Sequence, residues 1–413
     1  MPDIAALHAP SRRQLLVTGG ALFAWSYLPR FAHGSTFAAD GRDPRLVVMV
    51  LRGALDGLAA VAPVSDPAYQ ALHGQQALSL TGDKPALPLD NFFALHPAMP
   101  NFARLYRSRH AAVVHATATA YRERSHFDGQ DVLESGYKMP GKTQSGWLNR
   151  ALEQLPKGER IAVKGKGLAV GASTPLILRG GAPVTGWAPS ALPAVQDDLE
   201  QRLLDLYRHS DSGLANALEQ GLGLEKVMQR EAGGMRPAGG NIIQAMRVPA
   251  RGAAKLIAAD DGPRFAALAF DGWDTHVNEG GATGRLALLL AGLDGAIEEF
   301  EKGLGDSWKS TVIAVVTEFG RTARINGTAG TDHGTGTVAF LAGGALNGGR
   351  VIADWPGLRD ADLYEGRDLK ATTDLRGVMK GLLADHLGVG ANVLSERVFP
   401  ESQDVEPMQG LIV

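Results

Sequence analysis

The sequence predicts an α/β fold: a doubly wound, mostly parallel sheet with helices on both faces and a helical insertion. Three observations carry that expectation. Short apolar runs rich in β-branched residues alternate with amphipathic runs of ten or more residues, the pattern of a parallel sheet buried between helices. Several apolar runs stop at an acidic or histidine-bearing cluster, and in such sheets ligands gather beyond the carboxyl ends of the strands. The 52 glycines among 413 residues imply many tight turns and close backbone approaches.

Residues 1–40 stand apart from the fold. Ser11-Arg12-Arg13-Gln14-Leu15-Leu16 opens an apolar run through Val17, Ala21, Phe23 and Leu28 and resembles a twin-arginine export signal. The run is shorter than the ~20 residues that span a bilayer. The expectation is therefore a periplasmic or secreted protein with no stable membrane span once the leader is cut, between Ala32 and Ala39. Residues 41–413 would then form one domain with an insertion. With no cysteine in the chain, disulfides and thiolate ligands are excluded, so any metal must be held by His, Asp and Glu. A net charge of -3 without a basic cluster gives no footprint for nucleic acid.

The elements follow in order. Leu46 to Leu51 is a continuous β-branched run, a buried parallel strand that ends at Arg52-Gly53-Ala54-Leu55-Asp56. Met99, Phe102, Leu105 and Tyr106 fall at helical spacing between His96 and Arg109, and Ala111 to Ala116 returns as a strand. Ser125 then stands where it can cap a helix carrying Phe127, Val132 and Leu133 on its apolar face. Residues from about 141 to 262 read as an insertion or cap. They are Gly/Pro-broken between Gly180 and Pro193, then amphipathic from Gln196 to Arg230 through Leu199, Leu203, Leu204, Leu206, Leu214, Leu218 and Leu222. The core resumes with a strand at Arg264 to Phe270 and a helix at Arg285 to Phe300. Strands follow at Thr311 to Thr317 and Thr337 to Ala342, and a last helix at Asp374 to Leu387.

The chemistry-bearing residues gather at the strand ends. Asp274-Thr275-His276 sets a carboxylate and an imidazole two residues apart, so in an extended loop both side chains reach one ion. Asp332-His333-Gly334 supplies a second pair, Glu318 closes a buried strand, Asp56 follows the first, and Asp271 stands at the start of the mid-chain loop. A lone strand-end carboxylate also suits an Arg-paired structural acid; four strand ends carrying such groups point to metal. One or two divalent ions, the latter ~3.5–4 Å apart, suit this inventory, and mixed His and Asp ligation favours zinc or manganese. The expected partner is a small anionic ester.

Five segments together resemble the bacterial family named domain of unknown function 1501. They are Leu51-Arg52-Gly53-Ala54-Leu55-Asp56-Gly57, Arg124-Ser125-His126-Phe127-Asp128, Trp273-Asp274-Thr275-His276, Thr317-Glu318-Phe319-Gly320-Arg321-Thr322 and Asp332-His333. The likeness runs from about residue 45 to the C-terminus. That family in turn resembles the alkaline phosphatase and sulfatase superfamily, and the second resemblance implies roles. Asp56, Asp274, His276, Glu318, Asp332 and His333 would be metal residues, and Ser125 the nucleophile that attacks phosphorus or sulfur. Arg321 or Arg124 would clamp a substrate oxygen. The implied function is an exported metal-dependent hydrolase of phosphate or sulfate esters; the alternative is a periplasmic binding or assembly protein that keeps the fold and part of the site. Two features depart from the superfamily pattern. Glu318-Phe319-Gly320 stands where Asp-His-Gly is usual, so either Phe319 replaces a ligand histidine or a loop displaces the pair. Ser125 is either a nucleophile or a plain helix cap. His126 and His96 read as structural histidines, with a supporting role open to them.

Overall fold

The computed structural model describes residues 43–155, 167–189 and 240–413. Residues 1–40, read above as an export leader, and the run from Gln196 to Arg230 lie outside these residues. Twelve strands are described: β1 Arg45–Arg52, β2 Val61–Ala62, β3 Leu87–Pro88, β4 Ala94–Leu95, β5 Ala111–Ala118, β6 Gly167–Val170, β7 Val184–Trp187, β8 Phe265–Asp271, β9 Thr311–Thr317, β10 Thr337–Ala342, β11 Arg350–Ile352 and β12 Thr373–Asp374. Nine of them form one sheet in the order β11-β5-β10-β9-β1-β8-β6-β7, with β12 also paired to β5. All its pairings are parallel except those of β10, which runs antiparallel to β5 and β9. β2, β3 and β4 make a separate small antiparallel sheet.

β1 shows why the continuous apolar run forms a central strand. Val47, Met49 and Leu51 enter one core cluster while Leu46, Val48 and Val50 enter the other. Both sheet faces are therefore covered, and each buried Val or Leu contributes about 1.5–3 kcal/mol relative to exposure. On the first face lie the helices Ile242–Ala258 and Arg285–Leu304, tied by Arg247 and Arg251 to Glu299. Asp294 of the second helix accepts from the backbone N–H groups of Asn101 and Phe102, capping the helix Pro100–Arg107 from outside its own sequence. The helix Leu375–Leu387 lies on the other face, with Asp374 as its N-cap.

Two expectations change. The stretch read as an insertion contributes β6 and β7 to the main sheet, with β6 parallel to β8. These strands are four residues each and each contains a glycine, so they leave no long apolar run to read. In the helix His126–Ser135, Val132 and Leu133 are buried as expected, but Phe127 is 89% exposed. Among the described residues no helix is long and apolar enough to cross a membrane.

This topology sets the site. β1, β5, β8 and β9 run in one direction, so their carboxyl ends share one edge of the sheet, and antiparallel β10 begins at that edge. The loops carrying Asp274, His276, Glu318 and His333 and the start of the helix His126–Ser135 all lie there.

Candidate metal centre

One group of three ligand-type side chains closes tightly among the described residues: the ligand atoms of His126, Asp274 and His333 lie within 4.8 Å of one another. His126 Nε2 stands 2.9 Å from His333 Nε2 and 3.5 Å from Asp274 Oδ2; His333 Nε2 is 3.3 Å from Asp274 Oδ1. His276 abuts the group, its Nε2 3.0 Å from both His333 Nε2 and Asp274 Oδ1. Zinc–nitrogen bonds of ~2.0–2.1 Å at tetrahedral angles place neighbouring donors about 3.3 Å apart, within the span of these separations. The four side chains are 23–42% exposed, so one side of the group faces solvent.

The other ring nitrogens decide what this closeness means. His126 Nδ1 lies 2.8 Å from Glu318 Oε1, His276 Nδ1 3.2 Å from Asp332 Oδ1, and His333 Nδ1 3.0 Å from the Arg124 carbonyl. Carboxylates and carbonyls only accept, so each Nδ1 carries a proton, and a ring that is neutral turns an Nε2 lone pair toward the others. Lone pairs at about 3 Å repel. Protons alone would satisfy both histidine contacts only by charging at least one ring, with His333 donating to both neighbours or the neighbours donating to it. A divalent cation satisfies them together, and a ligating histidine that donates its second N–H to a carboxylate or carbonyl is the usual support of such an ion.

The electrostatics divide the rings. The hydrogen bond that His126 donates to Glu318, with the charge of that carboxylate, raises the pKa of His126 and favours its charged form. Burial and the neighbouring His126 lower that of His333 and favour its neutral form. Burial pushes Asp274 up, yet the Arg321 hydrogen bond and charge, with His276 and His126, bring it below the ordinary carboxylate value. The buried Glu318 is likewise opposed by burial and still held low by His126 and the Gly53 N–H.

Each element contributes for a local reason. Gly53, directly after β1, has φ +120°, and a Cβ there would sit 2.4 Å from the Asp274 nitrogen. This glycine brings the two strand ends together and donates its N–H to Glu318 Oε1 at 2.8 Å. Arg124 adopts φ +59°, uncommon for a non-glycine residue, and its carbonyl meets His333. The isolated bridge Arg321↔His333 folds the Asp332-His333 pair back onto the β9 end. Phe319 stacks on His126 with ring centroids 5.0 Å apart.

Several expected roles are redistributed. Asp274 and His333 are in the closed group and His276 beside it. Glu318 and Asp332 stand behind the rings, orienting His126 and His276, because a carboxylate bonded to Nδ1 is on the far side of the imidazole from Nε2. Asp56 is not in the group: it caps the helix Gly57–Ala60, where its Oδ1 accepts from Ala59 at 2.8 Å. Asp271 ends β8 exposed. The Arg321 side chain is 0% exposed and donates to Asp274 Oδ1 at 2.6 Å and to the Thr331 carbonyl, so its guanidinium is engaged within the protein. Arg124 is held by Asp368 and Glu365. Ser125 occupies the N-cap position of the helix His126–Ser135 without making a side-chain cap bond. His126 is the residue whose role the sequence concealed; its place beside Ser125 in a segment between strand and helix was the available signal.

A family profile described as "Protein of unknown function (DUF1501)" matches residues 43–398. No curated protein matches the sequence significantly. Among solved structures, Ps i-CgsB in complex with k-i-k-neocarrahexaose is 11% identical, with a TM-score of 0.44 over 89% of this chain and 75% of that one. The PsFucS1 sulfatase from Pseudoalteromonas sp. is 15% identical, with a TM-score of 0.33 over 83% and 68%. Alkaline phosphatase from the Antarctic bacterium TAB5 is 12% identical, with a TM-score of 0.32 over 73% and 92%. Likenesses this distant carry no activity to the present chain.

Proposed function

The chain belongs to the DUF1501 family, and from that premise and the nitrogen geometry at its strand ends we propose that it is an exported, metal-dependent hydrolase of phosphate or sulfate esters. The observation that carries the reading is the set of three histidines whose Nδ1 protons are all committed, leaving Nε2 atoms facing one another beside Asp274. The donor set fits one zinc or manganese ion held by His126, Asp274 and His333, with His276 adjoining and a solvent-facing side left for substrate. Such an ion supplies Lewis-acid polarisation of an ester oxygen. The protein's own part is to fix the donors. Glu318, Asp332 and the Arg124 carbonyl orient the rings, and Arg321 pins Asp274.

Ser125 is the proposed nucleophile. Its hydroxyl makes no cap bond and precedes a ligand residue at the first turn of a ten-residue helix, whose free N–H groups favour negative charge. The twin-arginine leader at Ser11-Arg12-Arg13 supports export. One finding favours the second reading, a non-catalytic periplasmic binding or assembly protein: both arginines expected to clamp substrate are engaged with the protein's own carboxylates.

Metal analysis of purified protein and a panel of phosphate and sulfate esters test the proposal together. Stoichiometric zinc or manganese with turnover lost in Ser125→Ala is the expected result. Stoichiometric metal without Ser125-dependent turnover moves the protein to the binding reading, and no stoichiometric metal overturns the centre itself.

A further inference from the structure

Beside the ligand group lies a cavity of about 230 Å³ whose wall includes Arg324, Arg367, Asp332, Asn326 and Thr322. It shares that wall with the candidate metal centre. Asp332 Oδ1 accepts from His276 Nδ1 at 3.2 Å, so the cavity is separated from the ligand group by one imidazole ring. Arg367 marks a second connection, donating through Nη2 to the His333 carbonyl at 2.9 Å.

The wall has cationic donors to spare. The Arg324 guanidinium makes no hydrogen bond among the described residues; it faces Asp360 at 3.8 Å, with the two side chains 62% and 83% exposed. An exposed pair at that distance contributes little, so the planar fork remains free for a bidentate anion. Arg367 has its one carbonyl contact and an ion pair to Asp368 at 3.4 Å, which leaves further N–H groups to donate. The polar neutral groups are already committed. Asn326 Nδ2 donates to the His276 carbonyl and to Asp332, and Thr322 Oγ1 donates to the Arg324 carbonyl while accepting from the Asp332 N–H. Asp332 is the only acid in the wall, and its Oδ1 is bonded to both His276 and Asn326. Asp360 and Asp368 stand beside the two guanidiniums without taking up all of their N–H donors, and those uncommitted donors at the cavity wall make this a place for an anion.

We propose that this cavity is a specificity subsite for a second anionic group of the substrate, recognised by Arg324 and Arg367. The substrate class is then an ester that carries a carboxylate, phosphate or sulfate in addition to the group being hydrolysed. The inference rests on the metal-dependent hydrolase reading above and narrows it. It also returns arginine recognition to a site whose two expected clamps, Arg321 and Arg124, are otherwise engaged.

The test uses non-hydrolysable probes on the full zinc-loaded chain: phenylphosphonate and 4-carboxyphenylphosphonate, titrated calorimetrically into the native protein, Arg324→Gln and Arg367→Gln. The added carboxylate is expected to tighten binding about tenfold, the scale of one charge-assisted hydrogen-bonded contact. That ratio should fall to about one in Arg324→Gln and drop clearly in Arg367→Gln. If phenylphosphonate binds only when zinc is present but the carboxylate adds nothing, or its advantage survives both substitutions, the subsite is wrong and the metal reading stands. If neither probe binds the zinc-loaded protein, the hydrolase reading falls and the subsite falls with it.

Discussion

His96 and His115 lie in the same molecule as His126, His276 and His333, yet the two groups are built on opposite rules. His115 places Nε2 2.9 Å from the Val61 carbonyl and accepts at Nδ1 from the Ala116 N–H. His96 does the same with the Gly281 carbonyl and the Ala98 N–H. In each, the donor and the acceptor are both used, so a neutral ring is complete within the scaffold. Burial lowers the pKa of both, His115 to about 4, which keeps them uncharged. At the strand ends each ring has its Nδ1–H satisfied and turns its Nε2 toward another Nε2. A structural histidine is closed within the scaffold, whereas these three form a group that could hold a metal ion.

Four substitutions can break or sharpen that contrast. The largest effect belongs to His333→Ala, which removes the Nε2 shared by both neighbours. Zinc affinity should fall by more than about a hundredfold, beyond what losing an outer support costs, as measured by competition with a chromophoric chelator. Glu318→Gln should cost about 10–100-fold by releasing His126 while leaving the ligand in place. If it costs nothing, the orienting role assigned to Glu318 is wrong. Asp294→Ala should leave zinc affinity alone and destabilise the fold by about 1–3 kcal/mol, because two helix N–H groups lose their acceptor, as read by chemical denaturation. His115→Gln should be the mildest, about 1 kcal/mol or less with metal content unchanged, since an amide can still donate to Val61.

Acidity separates the same regions. Burial raises the Asp294 carboxyl to about 6. With a folded value above the unfolded one near ~4, its stability contribution is full below that unfolded value and lost as pH rises through about 6. The deficit of Asp294→Ala should therefore be larger at pH 5 than at pH 8. Metal retention should run the other way. His126, raised by Glu318, takes up a proton early on acidification, and protonated imidazole cannot ligate.

Much of the fold was legible because β1, β5, β8, β9 and β10 are continuous apolar runs that tertiary packing does not need to overrule. β6 and β7 were not, since four-residue strands gain their identity from the neighbours they pair with. Asp274, His276 and His333 could be picked out as residues following or preceding strands. His126 could not be separated from a structural histidine, because its role depends on Glu318, 192 residues away, receiving its Nδ1 proton. The surroundings of Arg321 were hidden for the same reason: a strand-end arginine looks available until the fold buries it against Asp274 and Thr331. Asp56 stands outside the histidine group, with Oδ1 engaged at the start of a short helix and Oδ2 buried without a hydrogen-bond partner.

The most direct test is a crystal structure of the zinc-loaded protein with anomalous data collected above and below the zinc edge. One strong peak is expected ~2.0–2.1 Å from His126 Nε2, His333 Nε2 and an Asp274 carboxylate oxygen, with Glu318 and Asp332 still on the far nitrogens. A zinc-loaded crystal with no peak there, or with its only ordered ion beside Asp56, would contradict the metal centre described here.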